Sequence, residues 1–395
     1  MYPGLAVAAE LVKLRPDAKI VFACSNRAID RRILDPLPYA IVPQPVRPIP
    51  SGFAGWVDFA RAWVQSAAQA RRMVADLKPQ AVLGLGGFAA GPAVRAAAKA
   101  GIPCGLLNPD AVPGKANKML ARYASAIFTQ FEETSRCFPA AARGKIQPLG
   151  CPIRTSLLSQ RGMDVSSMCL TGVSPVAPPE QQQERCGDGR DKHGQDARAK
   201  LTGPACETLG LQPGLSTLLI LGGSLGAASI NEAIVKLLGD FSALADTWQV
   251  LHITGPDKGG GLASALAGAK ISATSMEYCQ QMEIAYAAAS LVLCRSGAST
   301  VAELAALGLP SVLMPYPYHR DQQQKLNAQG LARAGAAIIC EDAKDATANA
   351  QRLRNTLLPL MNAPSQLEKM RQAAIKIAKP SAATDIAHWL TDQGR

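Results

Sequence analysis

Three glycine-rich turns constrain the fold of this chain more than any other feature of its sequence. They occupy residues 84–92, 222–227 and 295–300. Each lies between an apolar run typical of a β-strand and a segment typical of a helix. Alternation of short strands with helices is typical of βαβ units, in which helices cover a parallel sheet. The sequence therefore predicts an α/β protein with two α/β domains and a cleft between them.

Apolar runs define the expected strands and helices. The predicted strands cover residues 19–24, 80–84, 105–107 and 126–129 in the first half, and 216–221, 248–253, 291–294 and 311–314 in the second. The predicted helices of the first half cover residues 53–77, 92–100 and 115–123. Strands and helices are thus expected on both sides of a central segment that lacks this alternation.

That central segment indicates a linker or insertion. Between Pro175 and Lys200 the chain carries Pro-Pro, a glutamine run and a Gly/Asp/Arg mixture without apolar periodicity, which is typical of disordered sequence. The sequence predicts an N-terminal domain over 1–154, a linker over 155–212, a C-terminal domain over 213–370 and a C-terminal helix within 371–395 that packs back towards the N-terminal domain.

Composition excludes several classes of protein. With 48% apolar and 18% charged residues, the chain can bury large cores and is not globally disordered. The sequence contains no run of 18 apolar residues, so no transmembrane helix is predicted. Residues 1–4 do not resemble the start of a secretory signal. Ten scattered cysteines without a C-x-x-C pair and four scattered histidines argue against a metal site or a disulfide framework. We therefore expect a cytoplasmic protein.

The basic residues are unevenly distributed. Residues 1–154 hold 20 Lys and Arg against 9 Asp and Glu, whereas residues 155–395 hold 21 of each kind. Such an excess indicates an anionic partner for the first domain, which is a nucleic acid, a phosphorylated substrate or an acidic membrane surface. The alternative is ordinary solvated surface charge.

The glycine turns suit phosphate binding, since glycine lets backbone N–H groups approach a phosphate at a helix N-terminus. None matches the P-loop motif or a clean G-x-G-x-x-G, and strand–helix turns also use glycine for packing alone. After the third turn, the Glu303 carboxylate can accept hydrogen bonds from the two hydroxyls of a ribose, or simply complement the helix dipole in the first turn. The polar residues 319–324 with Asn327 suit a sugar, or form a polar surface turn.

Three motifs together resemble the MurG family, glycosyltransferase family 28. They are GGSLGA at 222–227, RSGASTVAE at 295–303 and DQQQKLNA at 321–328. Further matching segments lie at 3–8, 84–92, 101–103, 111–117, 150–154 and 252–255. The resemblance implies a GT-B fold, with two Rossmann-like domains and a cleft between them. It places the lipid-linked acceptor in the N-terminal domain and UDP-N-acetylglucosamine in the C-terminal one. It implies inverting transfer of N-acetylglucosamine to the muramyl 4-hydroxyl of lipid I, which gives lipid II in peptidoglycan synthesis.

The resemblance also implies a donor site. Glu303 would hold the ribose hydroxyls of UDP, while Arg154 and Ser224 would contact the diphosphate, whose charge grows as it leaves. Gln323 and Gln324 would read the sugar hydroxyls. Asn327 would shape the sugar pocket. The backbone near Cys279 would face the uracil edge, and the backbone of Ala298 and Ser299 would lie beside the sugar and the phosphates. No cofactor is expected, and no metal-holding Asp-x-Asp motif occurs in the sequence.

The acceptor side departs from the family pattern. The resemblance places Gly86, Gly87, Phe88 and Asn117 there. The family's His-Glu-Gln-Asn is replaced by residues 107–110, Leu-Asn-Pro-Asp. An asparagine cannot act as a base, so Asp110 is the nearest candidate for the catalytic base.

A second departure concerns the first strand of the family fold. Its opening strand and Gly-Gly-Thr-Gly-Gly-His loop would precede Pro3, but Met1 stands two residues before it. A start codon assigned too far downstream is the preferred explanation over true loss. The sequence segment after Arg154 is also longer than the family linker.

An aromatic stripe favours membrane contact. Trp56, Phe59 and Trp63 recur at helical spacing, followed by basic residues at 71, 72 and 78, which suits an interfacial helix on anionic lipid. The alternative is that the aromatics pack against the sheet. With the lipid-linked acceptor implied by the resemblance, we expect a peripheral protein on the cytoplasmic face of the inner membrane and no nucleic-acid partner.

Two other functions stay open at this point. One is a GT-B transferase that acts on another lipid acceptor. The other is a non-catalytic UDP-sugar-binding protein, which the missing loop and the replaced base would explain.

Overall fold

The computed structural model describes residues 1–48, 50, 55–159, 204–223, 226–259, 261–319 and 321–393. Most of the predicted linker lies outside these residues. The chain divides into two compact units, of which the N-terminal unit holds residues 1–154 and 379–395 and the C-terminal unit holds residues 155–378.

The N-terminal unit contains two parallel sheets. Its strands are β1 (Val21–Ser25), β2 (Ala40–Gln44), β3 (Val82–Gly84), β4 (Cys104–Asn108), β5 (Ala126–Thr129) and β6 (Ile146–Gln147). β1 pairs with β2, and β3, β4, β5 and β6 form a separate sheet in that order. Its helices up to residue 154 are α1 (Tyr2–Leu14), α2 (Ala28–Leu34), α3 (Trp56–Leu77), α4 (Gly91–Lys99), α5 (Lys115–Leu120) and α6 (Ala140–Arg143).

Helix α1 packs against both sheets. Ala8 lies in the core with Phe22 of β1, whereas Val7 lies in the core with Leu107 of β4. A Cβ at Gly4 would overlap the side chain of Leu85, which follows β3. The close approach of the helix to this strand end therefore requires glycine.

The C-terminal unit contains one continuous sheet. Its strands are β7 (Ser216–Leu221), β8 (Trp248–Ile253), β9 (Ala273–Met276), β10 (Leu291–Cys294), β11 (Ser311–Leu313) and β12 (Ala337–Ile339). They are parallel and ordered β12-β11-β10-β7-β8-β9. Since β7 is the first strand of this unit along the chain, this is the 3-2-1-4-5-6 order of a dinucleotide-binding fold.

Helices cover this sheet and complete its core. They are α7 (Thr155–Ser159), α8 (Ala228–Leu237), α9 (Leu262–Ala267), α10 (Met282–Ala288), α11 (Ala298–Ala306), α12 (Gln323–Arg333), α13 (Ala346–Met361) and α14 (Pro364–Lys376). In α8, Ile230, Ile234 and Leu237 are fully buried. Their spacing gives the helix a continuous apolar face towards the sheet.

The last helix, α15 (Ala382–Asp392), belongs to the N-terminal unit. Its Trp389 ring meets the Phe128 ring of β5 edge-on at 5.4 Å. The boundary predicted at residue 370 falls inside α14, whose Met370 is buried in the C-terminal core. The chain joins the N-terminal unit only from Lys379 onward, where Lys379 Nζ donates to the Pro148 carbonyl over 2.6 Å.

In the part of the chain that the structure describes, no helix combines the length and the apolar character needed to cross a membrane. In the same residues, no three His, Cys, Asp or Glu side chains are grouped so that they could hold a metal ion.

Candidate functional site

The predicted donor residues of the C-terminal unit lie where its parallel strands end. β10 is fully buried and stops at Cys294, and α11 begins at Ala298 after Gly297. Ala298 and Ser299 are thus the first two residues of the helix. The positive end of the helix dipole therefore faces this edge of the sheet. The first turn contains no acidic side chain that would neutralise it.

Glu303 is the sixth residue of α11, beyond the first turn. The interpretation of Glu303 as a first-turn complement to the dipole is therefore wrong. The half-buried carboxylate accepts a hydrogen bond at Oε2 from the Tyr286 hydroxyl over 3.1 Å. Tyr286 is buried in α10, and this bond fixes the direction in which the carboxylate points.

Cys279 lies in the loop between β9 and α10. Its side chain is buried, and this burial raises the pKa of the thiol. The family resemblance implies that the backbone of this loop faces the uracil edge. Because α10 carries Tyr286, the loop precedes the helix that contacts Glu303, and both elements flank the same edge of the sheet.

The polar residues around Gln324 hold two segments together. Gln324 is the second residue of α12. Its Oε1 accepts a hydrogen bond from the Tyr316 N–H over 2.9 Å, and its carbonyl accepts one from Ser296 Oγ over 2.8 Å. The Nε2 group is then the part of the Gln324 side chain that can donate to a sugar hydroxyl.

Two neighbours of Gln324 differ in exposure, since Asn327 is buried and Gln323 is half-buried. Asn327 is fully buried, and its Nδ2 donates to the Ser296 carbonyl over 3.3 Å, so its amide braces the turn before α11. Gln323 is the first residue of α12, and its N–H donates to Asp321 Oδ1 over 3.3 Å. These bonds place the N-termini of α11 and α12 side by side.

The glycine turn after β7 completes this edge. Gly223 and Gly226 have φ angles of +81° and +67°, which other residues rarely adopt. A Cβ at Gly226 would overlap the Thr254 carbonyl, so the turn lies directly against the segment after β8. The predicted diphosphate ligand Ser224 lies outside the described residues.

A buried histidine supports that segment. His252 of β8 is fully buried, and its Nε2 lies 2.9 Å from Asn231 Oδ1. Asn231 Nδ2 in turn donates to the carbonyls of Thr254 and Lys258 over 3.1 and 3.2 Å. Burial lowers the pKa of His252 to about 4, so the imidazole is neutral at physiological pH.

The remaining predicted donor residue, Arg154, belongs to the N-terminal unit. Its guanidinium lies over the Tyr2 ring, with Cζ 5.0 Å from the ring centre. The buried Nε atom makes no hydrogen bond within the described part of the chain. The Arg154 side chain is thus held by stacking on Tyr2.

The predicted acceptor residues meet at the ends of β3 and β4. Gly86 and Gly87 have φ angles of +85° and +73°. A Cβ at Gly86 would come within 3.2 Å of the Asn117 amide nitrogen. Asn117 is buried, and its Nδ2 donates to Asn108 Oδ1 over 2.8 Å. The glycine turn after β3 is therefore joined to the loop after β4.

That loop carries the candidate base. Asn108 Nδ2 donates to the backbone carbonyl of Asp110 over 2.7 Å, so the position of Asp110 is fixed relative to Asn117 and Gly86. Phe88 follows the glycine turn, and the Arg27 guanidinium lies 5.7 Å from the centre of its ring. The structure thus groups all five predicted acceptor-side residues at one edge of the four-stranded sheet.

The aromatic stripe lies on α3, but its members differ in exposure. Trp56 is 48% exposed. Phe59 and Trp63 are half-buried, and the Trp63 ring lies against Gly91 of α4. Val57 and Val64 are 79% and 64% exposed. The exposed large apolar side chains in the first half of α3 are therefore Trp56, Val57 and Val64, while Trp63 packs within the unit.

Sequence reasoning missed four residues that support the donor site. Tyr286 hydrogen-bonds Glu303, and Arg295 is paired with Asp342 and Ser229. Arg295 was visible as a charged residue directly after a wholly apolar strand, but its partners are distant in sequence. Nothing in the local pattern identified them.

Comparison with known proteins agrees with this architecture. The family models described as glycosyltransferase family 28 N-terminal domain and C-terminal domain match residues 1–129 and 217–388. A UDP-N-acetylglucosamine–N-acetylmuramyl-(pentapeptide) pyrophosphoryl-undecaprenol N-acetylglucosamine transferase of Halothermothrix orenii is 30% identical, with 100% of this chain and 96% of the relative covered. A protein of the same name from Desulforudis audaxviator is 32% identical, with 98% and 93% covered.

Solved structures show the same fold. The crystal structure of Acinetobacter baumannii MurG aligns with a TM-score of 0.66 at 23% identity, covering 99% of this chain and 95% of that one. A UDP-GlcNAc 2-epimerase from Neisseria meningitidis aligns with a TM-score of 0.63 at 15% identity, covering 98% and 95%. The predicted GT-B fold is confirmed. This chain is a hexosyltransferase of glycosyltransferase family 28 and belongs, within it, to the MurG family of N-acetylglucosamine transferases.

Proposed function

We propose that the protein transfers N-acetylglucosamine from UDP-N-acetylglucosamine to lipid I and so forms lipid II. The names of its relatives support this assignment. The observation that carries it is the arrangement at the carboxyl edge of the C-terminal sheet. There an oriented carboxylate, Glu303, lies on the same helix whose N-terminus follows Arg295 and adjoins Gln324.

The donor is held by complementary groups. Glu303 accepts hydrogen bonds from the ribose hydroxyls, with its second oxygen bonded to Tyr286. The diphosphate faces the N-terminus of α11, whose first turn carries no negative side chain, and helix N-termini bind phosphates. Ser224 and Arg154 add contacts to it. Gln323, Gln324 and Asn327 form the sugar side, and the loop of Cys279 takes the uracil.

The reaction needs no cofactor in this proposal. Asp110 removes the proton from the muramyl 4-hydroxyl, the hydroxyl oxygen bonds to C1 of N-acetylglucosamine, and the bond from C1 to the diphosphate oxygen breaks. The electron pair leaves with UDP. The growing charge on UDP is stabilised by the N-terminus of α11, a group that is already oriented before the reaction. Arg154 would add to this stabilisation, as the family resemblance implies. The product has the inverted configuration at C1.

Asp110 is proposed as the base because of its place in the fold. It follows β4, next to the glycine turn after β3, and Asn108 and Asn117 fix both loops. We propose that these loops bind the diphosphate and the muramyl sugar of the acceptor, with Gly86, Gly87 and Phe88 nearest to it.

The exposed surface of α3 supports a peripheral site on the cytoplasmic face of the inner membrane. Trp56, Val57 and Val64 are exposed there. A shallow cavity of about 530 Å³ between α3 and α4 is lined by Arg71, Lys78 and Lys99 over an apolar floor. Apolar side chains beside cations suit an anionic lipid surface, and we propose lipid rather than nucleic acid as the partner of the basic excess.

Transfer of labelled N-acetylglucosamine to a lipid I analogue tests the function, with Asp110→Asn as the informative variant. We expect kcat to fall by a factor on the order of 10²–10⁴, as for loss of a general base, and the affinity for UDP to stay unchanged. Asp76→Asn, an exposed carboxylate on α3, is the matched control. A wild-type protein that transfers the sugar only to another lipid would identify a different acceptor.

A non-catalytic UDP-sugar binder is the second candidate, favoured by the division of the N-terminal sheet into two parts. It predicts UDP binding by calorimetry with no transfer to any lipid acceptor. Transfer by the wild-type chain that Asp110→Asn abolishes excludes this candidate.

A further inference from the structure

An ion pair is buried below the proposed donor site. Arg295, directly after β10, and Asp342, after β12, lie with Nη2 and Oδ2 2.9 Å apart. Their side chains are 10% and 0% exposed. A buried ion pair is costly to form, and removal of one partner leaves an uncompensated charge. The pair therefore needs further partners, which the surrounding segments supply.

Asp342 is saturated with donors. Ser229 Oγ donates to Oδ2 over 2.7 Å, and Asn349 Nδ2 and the Lys344 N–H donate to Oδ1 over 2.9 and 2.8 Å. Burial opposes ionisation of this carboxyl, but hydrogen bonds from Ser229, Asn349, Lys344 and Arg295 outweigh it and hold its pKa below the ordinary value. Asp342 is thus a fixed negative charge.

Arg295 uses the rest of its guanidinium to join other segments. Nη1 donates to the carbonyls of Met314 and Pro315 over 2.9 and 3.1 Å, and Nη2 donates to Ser229 Oγ over 2.8 Å. Cζ lies 5.8 Å from the centre of the Tyr316 ring. One side chain therefore connects the ends of β10, β11 and β12 with the start of α8.

Each of these segments leads directly into a part of the proposed donor site. Ser229 follows the glycine turn 222–227 by two residues, and Arg295 precedes Ser296 and α11. The segment of Met314 continues to Tyr316, whose N–H is bonded to Gln324. A planar fork with several donors can set such an arrangement, whereas a flexible ammonium group cannot replace it.

We propose that Arg295, paired with Asp342, is a positioning residue that aligns the start of α8 and the N-termini of α11 and α12 into one donor-binding arrangement. The inference rests on the proposed function, since it concerns the same donor site. Arg295 acts through the backbone segments it holds rather than through the donor itself.

Isothermal titration of the full chain with UDP tests this proposal. Arg295→Lys keeps the charge but loses the fork, and we expect the Kd for UDP to rise at least tenfold while the binding stoichiometry stays near one. A merely structural role gives a different signature, because partial unfolding lowers the stoichiometry and leaves the Kd of the folded fraction unchanged. The matched control is Arg354→Lys, which alters an ion pair of the same unit, with Nη2 2.6 Å from Asp240 Oδ2, and should change the Kd less than twofold.

Ser229→Ala covers the case in which Arg295→Lys does not fold. It leaves the ion pair intact and removes only the hydroxyl that joins α8 to it, and we expect the Kd for UDP to rise about three- to tenfold. An unchanged Kd in a folded Arg295→Lys protein, or in Ser229→Ala if the former is unfolded, overturns the positioning role. If wild type itself does not bind UDP, the proposed donor site fails and this inference fails with it.

Discussion

Both units of the chain are built on parallel strands, but the sheet is continuous in the C-terminal unit and divided into two in the N-terminal unit. In the C-terminal unit, β7 is paired on one side with β8 and on the other with β10. In the N-terminal unit, β1 pairs with β2, and β3 to β6 form a separate sheet. If the opening strand that the family resemblance implies is counted first, β1 and β2 correspond to the second and third strands of the 3-2-1-4-5-6 order and β3 to the fourth. Among the described residues, no strand stands between β1 and β3. The sheet is therefore divided where the other unit has its central strand.

The difference matters because the central strand leads into a glycine turn. β7 ends at Leu221, directly before Gly222 and Gly223 at the proposed donor edge. The N-terminal unit has its glycine turn after β3 instead, at Gly86 and Gly87. Helix α1 spans the interruption, since Val7 and Ala8 pack against different sheets. The helical layer of the N-terminal unit is thus continuous over an interrupted sheet.

The largest expected effect comes from filling that interruption. A chain extended before Met1 by an apolar strand and a Gly-Gly-Thr-Gly-Gly-His loop should transfer N-acetylglucosamine to a lipid I analogue at least about 100-fold faster, because it adds a phosphate-binding turn next to Gly86. The control extension is a Gly/Ser segment of equal length. Equal and high activity of the Met1-initiated chain would show that the acceptor site is complete without this strand.

The second effect concerns the stability of the C-terminal unit at low pH. His252 has a pKa of about 4 in the folded protein, against about 6.5 when unfolded. The unfolded state therefore binds more protons between these values. The contribution of the neutral His252 to the free energy of unfolding is therefore fully present above pH 6.5. It decreases as the pH falls towards 4, and below pH 4 it no longer changes. Linkage gives an upper limit on the order of 3 kcal/mol.

Urea unfolding between pH 4 and 7 measures this loss. His252→Gln removes the titrating group and keeps a partner for Asn231, so its unfolding free energy should depend less on pH than that of wild type. His388 in α15 is exposed, and His388→Gln should leave the profile of wild type unchanged. Parallel profiles for wild type and His252→Gln would show that the buried imidazole is not responsible.

The third effect tests the donor-binding residues of the C-terminal unit. Glu303→Ala should weaken UDP binding by about 1.5–3 kcal/mol, the usual loss for hydrogen bonds to a charged group. Tyr286→Phe should weaken it less, since the carboxylate remains but loses its orienting bond. Gln323→Ala should weaken UDP-N-acetylglucosamine binding more than UDP binding. Calorimetry that finds the same affinity for Glu303→Ala and wild type would remove Glu303 from the site.

The two units also differed in how well the sequence predicted them. The strands over 126–129, 216–221, 248–253 and 291–294 were predicted with the observed bounds, because strands buried on both faces form runs dominated by apolar residues. The edge strand β9, Ala-Thr-Ser-Met, and β2, which contains Pro43, were missed since neither forms such a run. Helix α1 was missed because Pro3 and Gly4 stand at its start.

The candidate site was predictable only where a local pattern marked it. The motifs around Glu303 and Gln323 placed these residues on helices that follow strand–helix turns, and the structure has Glu303 as the sixth residue of α11 and Gln323 as the first residue of α12. The pairs Tyr286–Glu303 and Arg295–Asp342 depend on the strand order, which brings distant segments together, and no local pattern reports it. The exposure of the α3 stripe was likewise hidden, since periodicity does not tell which aromatic side chain meets a neighbouring helix.

The smallest expected effect separates the units by membrane affinity. The N-terminal residues carry the basic excess, and each Lys or Arg near an anionic surface contributes about 1 kcal/mol, which salt screens. Trp56 and Val57 add apolar burial that salt does not screen. Trp56→Ser with Val57→Ser should therefore weaken binding to vesicles rich in phosphatidylglycerol by roughly fivefold at high salt.

Val235→Ser, at a 40% exposed residue of the C-terminal unit, is the control. Trp63 is left in place because its ring packs against Gly91. Wild-type protein that ignores these vesicles even at low salt would assign the basic excess to the diphosphate of the acceptor alone.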